Sequence, residues 1–255
     1  MKRKLVAAVA CRNTGSRLYG KPVQNLDIEN GYRIIDYIID SLQSISCISE
    51  IVLGISEGKE NEVFIDIAKD RNLNYIVGNE VDVLARLIQC GKVSDATDIF
   101  RITSESPFLY YSPVPDLWKN HCIFNYDATF YDEIIDGCGF EIIRLEALEK
   151  SHNLGDSKHR SELCSLFIRE NKGKFKINHA TPPKSLFRKD LRLTVDNPED
   201  LVLCRAVYKE FREQAPQIPL EKIIIFLDNN PSLSALTYPF TEAGYKTMYL
   251  SLIHI

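Results

Sequence analysis

The sequence of 255 residues predicts an α/β protein in which a mainly parallel mixed central sheet is flanked by helices. Continuous apolar segments such as 4–11 (KLVAAVAC) and 50–56 (EIVLGIS) are typical of strands that are buried on both faces of a parallel sheet. They alternate with segments of helical period such as 32–45 (YRIIDYIIDSLQSI), whose isoleucine and leucine residues fall on one helical face. Strand–helix alternation of this kind predicts a sheet covered by helices on both sides.

The alternation continues through the first hundred residues. Helices are predicted over 60–72 and 81–93, and strands over 73–78 and 97–103. After Pro107 the regular alternation of strands and helices ends. Short strands mixed with helices are predicted there, and we expect them to complete the sheet. The predicted strands are 127–131, 139–144, 174–178 and 191–195, and the predicted helices are 145–150 and 160–171.

The C-terminal part of the sequence is helical in pattern. A helix is predicted from Asn197, because asparagine is a good N-cap and Pro198 suits the first turn. Two further helical patterns occupy 216–250 and are separated by DNNPSL. We therefore predict one domain over 1–212 and a helical appendage over 213–255 that packs against it.

Composition excludes several functional classes. A formal net charge of −4 argues against general nucleic-acid binding, and no apolar run reaches the roughly 18 residues that a membrane-spanning helix needs. The seven cysteines are dispersed and form no C-x-x-C pair, which favours reduced thiols over a disulfide framework or a zinc site. The sequence predicts a cytoplasmic protein with no nucleic-acid or membrane partner.

The turn after the first strand, CRNTGSRLYGKP (11–22), predicts a site for a polyanion. Its cationic and hydroxyl residues are Arg12, Ser16, Arg17 and Lys21. Gly15 and Gly20 allow the backbone to approach a ligand closely, and successive N–H groups bind anions. The turn is not a Walker A loop, because Pro22 occupies the position of the required Ser or Thr. The alternative is a solvated basic turn.

Two carboxylates follow predicted strands and predict a divalent-metal site. Glu105 comes directly after 97–103, and Asp196 comes directly after 191–195. Ligands of open α/β sheets bind at the carboxyl ends of the strands, so we expect both residues to face the basic turn. Carboxylate oxygens suit Mg²⁺, and a metal beside a phosphate-binding turn is typical of nucleotidyl or phosphoryl transfer. Taken singly, a loop residue such as Glu105 is more often solvated than functional, and a lone Asp in the place of Asp196 is more often a cap or a turn residue.

Four segments together resemble a known family. ACRNTGSRLYGKPVQNL, VGNEVDVLARL, RITSESPF and LRLTVDNPEDL resemble the cytidylyltransferases that activate acidic sugars, in particular the spore coat polysaccharide biosynthesis protein F branch. More distantly, the sequence is similar to CMP-KDO and CMP-sialic acid synthetases. The resemblance runs from about residue 5 to residue 210. It implies a Rossmann-like nucleotidyltransferase fold of the GT-A-like type, homodimeric assembly and a role in surface polysaccharide synthesis.

The resemblance also implies a reaction and its residues. CTP would bind with its triphosphate at Arg12, Ser16, Arg17 and Lys21. Among these, Arg12 and Lys21 are the expected catalytic cations. Asp82 and Arg86 would lie by the cytosine and ribose, and Glu105 and Asp196 would hold Mg²⁺. A small anionic sugar-type acceptor would attack the α-phosphorus, and pyrophosphate would leave.

The sequence departs from the family branch in two places. Ser104 and Glu105 replace the usual Gly-Asp, and Ser161, Glu162 and Leu163 replace an Arg-Glu-His. We expect the first change to alter the metal site and the second to alter acceptor choice, with His159 and Arg160 as candidates for compensation. Two alternatives follow: a glycosyltransferase of related fold, and a catalytically inactive nucleotide-binding protein.

Overall fold

The computed structural model describes residues 3–15 and 17–247, in which nine strands and nine α-helices form. The strands are Leu5–Cys11 (β1), Asn25–Asp27 (β2), Tyr32–Arg33 (β3), Ile48–Ser56 (β4), Asn74–Gly78 (β5), Asp98–Thr103 (β6), Ala128–Tyr131 (β7), Phe140–Arg144 (β8) and Ile177–His179 (β9). The helices are Ile34–Gln43 (α1), Glu62–Asp70 (α2), Val83–Val93 (α3), Val114–Ile123 (α4), Leu145–Leu154 (α5), Leu166–Glu170 (α6), Pro198–Phe211 (α7), Leu220–Asn229 (α8) and Pro231–Thr247 (α9).

Seven strands form one sheet in the order β5-β4-β1-β6-β8-β7-β9. The pairings β5–β4, β4–β1, β1–β6 and β7–β9 are parallel, whereas β8 runs antiparallel to both of its neighbours. The predicted fold class, a mainly parallel mixed sheet flanked by helices, is confirmed. The small β2–β3 hairpin, which the sequence analysis did not predict, lies outside this sheet.

The central strand β1 supplies side chains to two hydrophobic cores. Leu5, Ala7 and Val9 belong to one core, and Val6 and Ala8 belong to the other. Because neighbouring residues of a strand point to opposite faces, a strand covered on both sides must be apolar at every position. This is the physical reason for the uninterrupted apolar run.

The C-terminal helices are joined to the main core. Ile223 and Leu227 of α8 are buried in the same cluster as β1, and α9 packs against α7 and α8. The boundary at residue 212 therefore stays a prediction, although the expected packing against the core is present. Residues 248–255 of the predicted appendage lie outside the described residues.

One predicted strand is absent. Residues 191–195 run beside the sheet, but they form only an isolated parallel bridge, between Arg192 and Asp136. The alternating pattern LRLTV arises because Leu191, Leu193 and Val195 enter the core. The strand predicted over 191–195 is therefore wrong, and Arg192 and Thr194, the polar members of the alternation, are buried as well.

The amino end of β6 holds a buried polar cluster. Asp98 and His121 are both fully buried, and His121 Nε2 lies 3.2 Å from Asp98 Oδ1. The other ring nitrogen of His121 lies 2.8 Å from the Thr129 hydroxyl, and Arg3 donates to the Asp98 carboxylate at 2.9 Å. The cluster joins the segment before β1 to β6, β7 and α4, at the edge of the sheet opposite to the carboxyl ends of the central strands.

All seven cysteines are free thiols, as predicted. Within residues 3–15 and 17–247, every helix is too short or too polar to span a lipid bilayer.

Candidate active site

A cavity of about 670 Å³ opens at the carboxyl ends of β1 and β6. It reaches from Val83 and Arg86, on the β5 side, across the basic turn to Glu141 on β8. The strand order brings these segments together, because parallel strands present their carboxyl ends at one edge. The cavity occupies the position that the sequence predicted for a ligand.

The basic turn is folded tightly against the cavity. Gly20 has a φ of 62°, and its N–H donates to the carbonyl oxygen of Asn13 at 2.9 Å. Asn13 is buried, and its own N–H donates to the Asn61 side chain at 2.8 Å. A left-handed residue without a Cβ is needed at this point, which explains Gly20. Ser16, a predicted phosphate ligand, lies outside the described residues.

Three of the cations that line the cavity converge on Asp196. Lys21 Nζ lies 2.5 Å from Asp196 Oδ1, and Arg17 Nη2 lies 3.2 Å from the same oxygen. Arg192 donates to the second oxygen, Oδ2. Burial alone would raise the pKa of Asp196, but the three cations outweigh it and hold the pKa below its ordinary value. Asp196 is therefore ionised at neutral pH, and its position is fixed from three sides.

Arg192 holds the Asp196 carboxylate from the buried side of the site. Its guanidinium is 2% exposed and donates to three carboxylates, those of Asp136, Asp196 and Asp200. Asp200 also accepts the backbone N–H of Asp196 at 2.9 Å and thereby starts α7. A buried cation with several hydrogen-bonded carboxylates holds them in one geometry. The sequence analysis gave Arg192 no role.

Glu105 lies next to Asp196 in the folded chain. The carbonyl oxygen of Glu105 accepts the N–H of Val195 at 3.0 Å, and the side chains of Ser106 and Thr194 are joined by a hydrogen bond of 2.9 Å. Burial raises the pKa of Glu105, Lys21 lowers it, and the charge of Asp196 raises it further, so that the pKa lies above its ordinary value. The structure thus brings both predicted metal ligands to one side of the cavity.

This pair of carboxylates fits Mg²⁺ bound together with a nucleotide. Among residues 3–15 and 17–247, no group of three or more His, Cys, Asp or Glu side chains is placed to hold a metal by itself. Mg²⁺ is usually held by one or two carboxylates, substrate phosphates and water. Burial is the main cause of the raised pKa of Glu105, and the charge of Asp196 adds to it. A divalent cation between the two carboxylates would favour the ionised form of Glu105.

Arg86 is a buried cation that lines the cavity. It is 2% exposed, and its Nη1 donates to the carbonyl oxygens of Asn79 and Glu80 at 2.5 and 2.9 Å. In the part of the chain that the structure describes, its buried Nε has no hydrogen-bond partner and the guanidinium forms no ion pair. Burial lowers the pKa of Arg86. A buried polar group without a partner is costly, so a ligand acceptor here would stabilise it.

Asp82, the other residue predicted to lie by the nucleotide, does not line the cavity. Its carboxylate caps α3 by accepting the N–H of Ala85 at 2.9 Å, and it lies 2.8 Å from His152 Nε2. These contacts explain its place before the helix. The predicted ligand role of Asp82 stays a prediction.

The side of the cavity near β8 carries paired charges. Arg12 pairs with Glu162, and Arg101 Nη1 lies 3.1 Å from Glu141 Oε2. Neither His159 nor Arg160 lines the cavity: His159 Nε2 lies 2.8 Å from Glu170, and Arg160 donates to the carbonyl oxygen of His152. We expected His159 and Arg160 to compensate for the replaced Arg-Glu-His segment. Among the described residues, neither makes a contact with the cavity that supports this expectation.

Comparisons with known proteins agree with this architecture. No family model matches the sequence. An uncharacterized protein of Methanocaldococcus jannaschii is 27% identical over 248 residues, which is 95% of this chain and 98% of the relative. The spore coat polysaccharide biosynthesis protein SpsF of Bacillus subtilis is 21% identical over 236 residues, which is 88% of this chain and 93% of the relative.

Solved structures share the fold. A cytidylyltransferase from Leptospira borgpetersenii superposes with a TM-score of 0.80 at 21% identity, over 91% of this chain and 96% of that one. A CMP:2-keto-3-deoxy-manno-octonic acid synthetase complexed with CTP superposes with a TM-score of 0.59 at 14% identity, over 81% and 99%. The resemblance that the motifs predicted is thus confirmed: this chain is similar in sequence to a spore coat polysaccharide biosynthesis protein and has the Rossmann-like fold of the nucleotidyltransferases, a class of enzymes that includes the cytidylyltransferases.

Proposed function

We propose that this protein is an Mg²⁺-dependent cytidylyltransferase. It would transfer CMP from CTP to an acidic sugar or sugar phosphate and release pyrophosphate, as a step in surface polysaccharide synthesis. The observation that carries the proposal is the convergence of Lys21 and Arg17 on Asp196, beside Glu105, in the cavity. These are the parts that nucleotidyl transfer requires: cations for phosphate oxygens and carboxylates for a metal.

The comparisons support the choice of nucleotide. The relative in Bacillus subtilis is named for spore coat polysaccharide biosynthesis, and one structural neighbour is complexed with CTP. The identities of 21% and 14% are low, so the residues of this chain must carry the argument. Arg86 adds to it, because this cation lines the β5 side of the cavity and forms no ion pair within the described residues, so an acceptor group of the nucleotide would stabilise it.

The reaction would exchange one bond of the α-phosphorus for another. An oxygen of the acceptor forms a bond to the α-phosphorus, the bond to the bridging oxygen breaks, and pyrophosphate takes the electron pair. Arg12, Arg17 and Lys21 would bind the phosphate oxygens and stabilise the charge that grows on them. Glu105 and Asp196 would hold Mg²⁺, which when bound neutralises phosphate charge.

Pyrophosphate release tests the proposal. Each of CTP, UTP, GTP and ATP is incubated with Mg²⁺ and a pooled set of acidic sugars and sugar phosphates. We expect release with CTP alone, and its loss in Asp196→Asn and Arg17→Ala. Asp190→Asn and Arg212→Ala are matched controls, because both side chains lie outside the cavity and the Arg212 and Arg17 side chains are equally exposed, at 52%.

Other outcomes select between the alternatives. Hydrolysis of a UDP- or GDP-sugar in preference to CTP turnover would favour a glycosyltransferase. CTP binding without turnover, restored by Glu105→Asp, would favour an inactive nucleotide-binding protein. The absence of both binding and turnover would contradict the cytidylyltransferase proposal. The proposed setting is cytoplasmic and the proposed assembly a homodimer, which sedimentation equilibrium tests directly.

A further inference from the structure

Helix α9 reaches the cavity although its sequence lies beyond the segments that resemble cytidylyltransferases. Ser234, Thr237 and Thr241 are buried and share one face of the helix, spaced by three and four residues. Gly244 continues this face and lines the cavity together with Arg192 and Asp136. Small side chains allow the helix backbone to approach its neighbours closely, so the C-terminal helix can contribute to the wall of the site.

Gly244 has no room for a side chain. A Cβ at this position would lie 2.8 Å from Asp136 Oδ2 and closer still to Nη1 of Arg192, nearer than carbon atoms approach such groups. The guanidinium cannot move aside freely, because it is 2% exposed and is held by three carboxylates. Even a methyl group at residue 244 must therefore displace Arg192 or lift α9 from the core.

We propose that Gly244 is a positioning residue for the metal carboxylate. Because Gly244 has no side chain, α9 can pack directly against the Arg192–Asp136 pair. The helix then holds the guanidinium of Arg192 against Asp196. The C-terminal segment then belongs to the active site. This inference rests on the proposed function, because the role it gives to Asp196 is that of a ligand to the metal–nucleotide complex.

The expected defect is specific. When Arg192 is displaced, Asp196 keeps Lys21 and Arg17 on one oxygen and loses the partner of the other. The carboxylate is then free to turn toward the basic turn and away from the metal position. Loss of a group that orients a metal ligand typically costs about 10–100-fold in metal affinity or activity. CTP binding without metal should change much less.

Gly244→Ala is the primary test, with Gly173→Val as the matched control, since a Cβ at Gly173 would meet nothing within 4 Å. Three quantities are measured: the Mg²⁺ concentration for half-maximal pyrophosphate release, Mn²⁺ binding in the presence of CTP by electron paramagnetic resonance, and the unfolding temperature in EDTA. In Gly244→Ala we expect an Mg²⁺ requirement and an Mn²⁺ affinity at least about tenfold weaker than in the wild type. We also expect a lower unfolding temperature, because displacement of Arg192 leaves buried carboxylates without a partner, so the metal measurements are made well below it. The control should match the wild type in all three.

A double-mutant cycle identifies the route of the effect. If Gly244 acts through Arg192, then Gly244→Ala should add little in an Arg192→Lys background, because the displaced group has already been changed. Additive effects on Mn²⁺ binding would overturn the proposal, and so would a Gly244→Ala variant with wild-type metal dependence. Should the alanine variant fail to fold, Asp136→Asn tests the same support of Arg192 from its other side.

Failure of the proposed function would be recognised separately. It would appear as a wild-type protein that neither releases pyrophosphate nor binds CTP, whatever residue 244 is. Wild-type turnover with an unaffected Gly244→Ala variant would overturn the positioning role alone.

Discussion

The pairing of Asp196 with the basic turn predicts an unusual effect of Asp196→Asn. Without nucleotide, Lys21 and Arg17 contact one oxygen of Asp196, the carboxylate that the proposed mechanism assigns to the metal. CTP that arrives without metal must compete with Asp196 for both cations. Removal of the carboxylate charge should therefore tighten the binding of metal-free CTP, although it abolishes turnover.

The magnitude follows from the two contacts. A hydrogen bond to a charged partner contributes about 1.5–3 kcal/mol, which applies to the partly buried Lys21 pair. The Arg17 pair is half-exposed and adds less than about 1 kcal/mol. The amide of asparagine keeps part of the Lys21 contact. We therefore expect a gain near 1.4 kcal/mol, which is about a tenfold lower Kd.

Isothermal titration calorimetry in EDTA, at fixed ionic strength, measures this gain. Asp190→Asn serves as control, because it removes a carboxylate of similar charge outside the cavity. In Mg²⁺ we expect the wild type to bind CTP more tightly than Asp196→Asn does, since the variant has lost a metal ligand. Metal-free CTP that binds Asp196→Asn no more tightly than the wild type would refute the reasoning, because the cations would then not be in competition.

Three further predictions concern single side chains. Arg86→Met should weaken CTP binding about tenfold, which calorimetry measures. The unfolding temperature should change little, because removal of a buried charge without an ion pair in the described structure offsets the lost hydrogen bonds to the carbonyl oxygens of Asn79 and Glu80; thermal unfolding measures it. Glu105→Gln should stabilise the metal-free protein above pH 4.5, since burial raises the pKa of Glu105 and its ionised form opposes folding. It should also abolish turnover, because a proposed metal ligand is lost. A variant no more stable than the wild type at pH 7 would contradict the first expectation. His121→Ala should cost about 2 kcal/mol in the free energy of unfolding at pH 7.5. Burial lowers the pKa of His121, so the unfolded chain takes up the proton first and the cost should shrink below pH 6.5, which denaturant titrations at several pH values would show.

The elements that the sequence predicted well are those whose pattern is local. The apolar runs of β1 and β4 were recognisable because both faces of each strand are covered. The turn from 11 to 22 was recognisable because its charges and glycines are contiguous. Strand direction explains the position of Glu105, which follows β6. Asp196 was expected at the same edge because of a strand over 191–195 that does not form, and the isolated parallel bridge between Arg192 and Asp136 occurs in that segment instead.

The missed features depend on residues that are distant in sequence. Arg192 sits in an alternating segment that resembles a strand, and its partner Asp136 lies 56 residues earlier. The signal that was available was a charged residue flanked by leucines directly before the Asp196 segment. Arg86 was not missed, but it was named only through the family resemblance. Its burial also depends on distant residues, since space for its stem is left by Gly54 and Gly78 on two neighbouring strands, where a Cβ would lie 3.7 and 3.1 Å from it.

The two ends of β6 contribute to different parts of the molecule, since one end holds a buried polar cluster and the other leads into the cavity. Asp98 at the amino end belongs to the buried cluster with Arg3 and His121, while Glu105 follows the carboxyl end in the cavity. Substitutions in the loops around Glu105 or Glu162 leave that distant anchor intact. The stability of this end of the sheet and the lining of the cavity therefore depend on different residues, and either set can be substituted without loss of the other.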